Sequence, residues 1–107
     1  MSKKKIYNKR LLKGKFYVHS DRQGGHPAYL YKKNDKKNQY FILIFTSSPG
    51  LYRRKLKFSI ESDKIKTSYI QNMPSVVKRR ELGAKELNRI KISKADKPLI
   101  IVIQRKK

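Results

Sequence analysis

Residues 39–48 read QYFILIFTSS, and no other segment sets so many apolar side chains in a row. The run is rich in β-branched and aromatic residues, which pack well on a pleated surface. It is too short to span a bilayer as a helix, which takes about 20 apolar residues. Turn formers bound it on both sides, NDKKN at 34–38 and PG at 49–50. That pattern predicts a central strand buried on both faces. The fold then has to grow outward from it, by strands that need cover on one face only.

The rest of the chain supplies such strands. KFYVHS (15–20) is aromatic and β-branched, and AYLYKK (28–33) follows the polar loop DRQGG (21–25). Pro27 holds His26 in an extended conformation. RRKLKFSIE (53–61) alternates Lys55, Lys57 and Ser59 against Leu56, Phe58 and Ile60, which predicts a half-buried strand with one basic face. KTSYI (66–70) and SVVKRR (75–80) read as shorter strands, and AKELNRI (84–90), after Gly83, as two helical turns. LIIVI (99–103) suits a buried strand by residue type. Asp96 as a cap and Pro98 in a first turn favour a helix there, with Leu99, Val102 and Ile103 on one face. Five or six short strands with tight turns predict a mainly β fold, a small curved SH3-like barrel with one or two short helices, including the C-terminus. The expected organisation is a basic N-terminal arm at 1–14 and a single barrel domain at 15–107.

Charge narrows the function. Lys and Arg number 29 against 7 Asp and Glu, a net charge of +22. Solubility asks for far less, so the excess points to a polyanionic partner, nucleic acid first. A membrane partner is not expected, because no long basic amphipathic helix is legible. The basic start has no signal-peptide apolar core, so the expected location is the cytoplasm. There is no cysteine, which removes disulfides and thiolate ligands, and two histidines with seven acids argue against structural zinc. No cofactor is expected.

The segment SDRQGGHPAYLY (20–31), a polar hairpin, and an apolar strand ending in FTSSP (45–49) together resemble the front half of the PemK/MazF-like toxin family. The resemblance covers residues 15–48. It implies a curved SH3-like barrel, commonly a homodimer held by an acidic antitoxin, that cleaves single-stranded RNA without metal. It carries the family's strand-end Thr onto Thr46, with Ser47 beside it. The family's Arg before Pro falls on His26, a departure that leaves Arg22 as the nearest candidate for the lost guanidinium.

Metal-free RNA cleavage needs a base for the ribose 2′-OH, an acid for the leaving oxygen and donors for the charge at phosphorus. His26 suits proton transfer, with His19 as a second candidate. Arg22 suits a two-pronged grip on phosphate, and Thr46 or Ser47 a hydroxyl donor. Arg53, Arg54, Lys55 and Lys57 form a candidate phosphate track, with Arg79 and Arg80 a second. Tyr29, Tyr31, Tyr40, Tyr52 and Tyr69 are candidate stacking surfaces for unpaired bases, though some must fill the core. The competing readings are plain. A His-Pro pair and two glycines make a turn, a strand can end in Thr-Ser, and basic residues can simply face water. The first function read from this is RNA binding, with RNA favoured over DNA, and endoribonuclease activity. The alternative is a non-catalytic nucleic-acid-binding module, a mobile-element accessory or a ribonucleoprotein component.

Overall fold

The computed structural model describes residues 10–21, 24–61, 66–87 and 90–107. Its elements follow the expected order. β1 (Phe16–Asp21) and β2 (Gly24–Asn34) form an antiparallel hairpin, and β3 (Gln39–Thr46) returns along β2. β4 (Arg53–Glu61), β5 (Lys66–Gln71) and β6 (Ser75–Val77) follow, then 3₁₀ turns η1 (Arg79–Glu81) and η2 (Lys94–Asp96), and helix α1 (Lys97–Gln104). The strand order is β1-β2-β3-β5-β4, with β6 also on β3. All pairings are antiparallel, and the sheet is curved but not closed.

β3 is the centre, as its composition requires. One edge pairs with β2, the other with β6 at Tyr40–Ile42 and with β5 at Phe45 and Thr46. Its side chains feed two cores. Tyr40, Ile42 and Ile44 join Leu11, Tyr17, Ala28, Leu30, Val77 and Leu82 on one face. Leu43 and Phe45 join Phe16, Leu56, Ile60, Ile70, Ile90, Ile100 and Ile103 on the other. Alternation along a strand therefore reports which face a residue serves. Just before β1, the Gly14 N–H donates to the Leu30 carbonyl, and φ at Gly14 is +84°, a left-handed value natural to glycine.

Five local features depart from the sequence reading. Of the loop expected at 21–25, Asp21 lies in β1 and Gly24 and Gly25 lie in β2 with His26 and Pro27, while 22–23 lie outside the described residues. Gly25 is accommodated there for a packing reason: a Cβ would sit 2.7 Å from the Val18 Cγ1 across the hairpin. Pro27 lies one residue beyond the last β2–β3 pair, Ala28↔Ile44, where the ladder toward β3 has ended. In β4 the clean alternation fails. The register slips between Lys55↔Tyr69 and Ile60↔Thr67, and Phe58 turns outward, 61 % exposed.

Asp96 explains that slip and departs from its own expected role. It is buried, and its carboxylate accepts from the Lys57 N–H at 2.7 Å and the Phe58 N–H at 3.0 Å. It makes no side-chain cap on α1. The helix forms regardless, with Pro98 in its first turn, but the buried pair is Ile100 and Ile103 while Val102 faces solvent. The stripe is thus rotated from the one expected. Finally, the described part of 84–90 is not helical. The Gly83 and Leu87 N–H groups donate to the Val18 and Phe16 carbonyls, each at 2.8 Å, so the segment runs along the edge of β1. Among the described residues, no helix is long and apolar enough to cross a membrane.

Candidate active site

The candidate residues sort by strand register. His19 of β1 lies directly opposite His26 of β2. His26 of β2 and Thr46 of β3 each lie two residues past Ala28↔Ile44, the last β2–β3 pair, and Thr46 pairs with Tyr69 of β5. Strand alternation puts all three on the face of Tyr17, Ala28 and Ile44, members of one core cluster. Two imidazoles are thus paired across β1 and β2, and Thr46 lies on the same face of β3. Directly opposed Cβ atoms lie about 5 Å apart, close enough for side chains to act on one group.

These three residues are sheltered to different degrees. The His19 side chain is 12 % exposed, and its Nε2 lies 3.9 Å from Glu81 Oε1. Its Nδ1 is buried and makes no hydrogen bond. Glu81 is itself held, its Oε2 accepting from the Lys78 N–H at 2.7 Å. A bridge between His19 and Leu82 ties the η1 turn to β1. His26 is half-buried. Thr46 is 4 % exposed, and its Oγ1 accepts from the Ser48 N–H at 3.4 Å. Ser47, the next residue, is exposed. Glu81 was not legible as a site residue. It stands in KRREL (78–82), which reads as a basic stretch, and only the topology delivers it to His19. Arg22, the expected phosphate clamp, lies outside the described residues.

The proposed nucleic-acid contacts divide between open and engaged positions. Arg54, Lys55 and Lys57 are exposed on β4, an outer strand of the sheet. Basic side chains on such a strand also blunt edge-to-edge pairing, which is their structural use. Arg53 is tied down, its Nη1 donating to the Ser48 carbonyl at 2.9 Å and to the Pro49 carbonyl at 3.4 Å. Arg79 donates from Nη1 to the Leu82 carbonyl at 3.2 Å, while Arg80 is exposed. Tyr29 and Tyr31 are half-buried against the second core. The Tyr29 ring lies 5.2 Å from that of Phe16, and burial of the Tyr31 hydroxyl raises its pKa. Of the candidate stacking residues, Tyr52 is the open one, 75 % exposed in the β3–β4 turn.

A mycobacterial endoribonuclease, solved in complex with its cognate antitoxin, matches this structure with a TM-score of 0.57. The match covers 91 % of this chain and 93 % of that one, at 16 % identity. The two chains share a fold. No protein-family model matches the sequence, and no curated protein does. The coverage matters more than the identity. At that coverage the likeness belongs to most of the chain and not to one hairpin.

Proposed function

We propose that this protein is an RNA-cleaving toxin, of SH3-like barrel type, that acts on single-stranded RNA and is held in check by an acidic antitoxin. The observation that carries this reading is the His19–His26 pair, with Thr46 on the same face, on a sheet whose fold is shared with an antitoxin-bound endoribonuclease. The net charge of +22 supports a phosphate-rich substrate and a partner of opposite charge.

The chemistry is an attack within the substrate. His26 takes the ribose 2′-OH proton as the O2′–P bond forms. The P–O5′ bond breaks, and an imidazolium returns a proton to the 5′ oxygen. His19, oriented by Glu81, stands beside His26 to serve that second transfer. Thr46 or Ser47 donates to a phosphate oxygen as charge develops there, and Arg22 grips the phosphate on the strength of its chemistry alone. The products are a 2′,3′-cyclic phosphate and a 5′-hydroxyl.

One observation favours the non-catalytic binding module instead. The Thr46 hydroxyl is buried and already engages the Ser48 amide. Cleavage of single-stranded RNA by His26→Ala, Arg22→Ala and Thr46→Ala separates the two readings. On the nuclease reading, His26→Ala abolishes cleavage with affinity nearly intact, since one imidazole adds little to so basic a surface. Arg22→Ala lowers both affinity and rate. Thr46→Ala slows cleavage by about 10²-fold, the cost of one donor to a developing charge. Wild-type protein that leaves RNA intact for hours at neutral pH hands the fold to the binding module.

A further inference from the structure

The turns β3–β4 and β5–β6 close on one another where β5 ends and β4 begins, at the Arg53↔Gln71 pair, and leave a groove of about 490 Å³. That volume lies in the range of small-ligand sites, about 300–1,000 Å³. Leu51 and Tyr52 stand on its rim, 89 % and 75 % exposed, and Met73 is exposed opposite them. Three large apolar side chains held this far into water around one groove mark a contact surface. We infer that this groove binds one unpaired nucleobase, stacked on the Tyr52 ring, from the strand whose phosphate lies at the Thr46 end of β3. The inference rests on the proposed RNA substrate and adds a base subsite to it.

The polar groups around the groove are pre-set for such a ligand. The Asn72 N–H donates to the Tyr52 carbonyl at 2.7 Å, locking one turn to the other. Lys106 Nζ donates to the Asn72 carbonyl and to Asn72 Oδ1, both at 3.0 Å. The amide orientation of Asn72 is thereby fixed, with its NH₂ the donor that remains to meet an acceptor on a base edge. Gln71 lines the same wall. Arg53 supplies a cation in the groove lining. Its side chain crosses Gly50 so closely that a Cβ there would lie 3.0 Å from Arg53 Cδ, and its Nη1 is pinned by two carbonyls. A guanidinium fixed in this way adds a second flat surface and a charge for a nucleotide. Ser48, which offers one of those carbonyls, also donates its N–H to Thr46 Oγ1, so the base subsite and the candidate active site share a short stretch of backbone.

The test is equilibrium binding by fluorescence anisotropy. One probe is a short single-stranded RNA, and the other an abasic oligonucleotide of the same length and charge. Tyr52→Ala is expected to weaken RNA binding about tenfold, within the range of one lost base stack, and to leave abasic binding unchanged. Tyr52→Phe is expected to keep wild-type affinity. Gly50→Ala, which displaces Arg53, is expected to weaken RNA binding several-fold with Tyr52 in place. Equal loss on both probes overturns the inference, as does no loss on RNA. A change in oligomeric state with Tyr52→Ala also overturns it, since the rim then serves a protein contact. Binding is read without cleavage, so the two proposals fail separately. An inactive protein that still prefers RNA over the abasic strand through Tyr52 sinks only the nuclease. An active one with base-independent binding sinks only the subsite.

Discussion

A single hydrogen bond shows how residue chemistry is set by position here. The Tyr40 hydroxyl donates to Asp35 Oδ1 at 2.6 Å, while Lys33 Nζ donates to Oδ2 at 3.0 Å. Burial first, and the neighbouring carboxylate second, push the Tyr40 phenol up to about 12. The Tyr40 and Lys33 hydrogen bonds hold Asp35 below its ordinary range. The signs follow from linkage. Tyr40 has a raised folded pKa, so its contribution is complete below the ordinary tyrosine value of about 10 and is lost as pH rises through about 12. Asp35 has a lowered one, so its contribution is present above the ordinary aspartate value of about 4 and is lost as pH falls through the lowered value. Asp35 is exposed, so the energy involved is small. Asp35→Asn is expected to let Tyr40 ionise at lower pH than in the wild type, though still above 10, because its burial stays. The Tyr40 ring-carbon NMR shift followed against pH measures this, and an unmoved titration means that the carboxylate plays no part.

At the scale of elements, what was legible depended on whether a pattern was local. The apolar run at 39–46 and its flanking turns located β3, and Pro98 with the apolar stretch behind it located α1. The helix expected at 84–90 failed, because its amides serve the edge of β1, a partner far away in sequence. The break in β4 was invisible for the same reason, since it depends on Asp96. His19, His26 and Thr46 were legible as residue types, but the His19–His26 pairing was not, since only strand register reveals it. The hairpin β1–β2 carries that pair, and its geometry rests on Gly25 lying against Val18. Gly25→Ala is expected to destabilise the protein by about 1–3 kcal/mol through overpacking. Adding Val18→Ala removes the obstructing methyl and is expected to recover part of the loss. Urea unfolding of the two single variants and the double measures the coupling. Strict additivity means the clash is absorbed elsewhere and Gly25 is there for another reason.

The whole molecule is governed by its charge of +22. Two effects of salt should oppose each other. Alone, the folded chain crowds like charges that the unfolded chain spreads out, so screening by salt should stabilise it. With single-stranded RNA bound, mass action adds stability of about 2.7 kcal/mol at a ligand concentration 100 times the Kd. That addition must shrink as salt rises, because each neutralised phosphate releases counterions. For about six contacts, affinity falls on the order of 10³-fold between about 50 and 200 mM salt. Melting curves across a salt series, with and without RNA, should therefore converge. The free protein's Tm rises, and the increment due to RNA falls toward zero. Parallel curves would mean that RNA is held by contacts other than phosphate, and a free protein indifferent to salt would mean that its charges are already neutralised within the fold. Convergence ties the excess of lysine and arginine to the ligand: repulsion that weakens the free chain is relieved when a phosphate backbone lies across it.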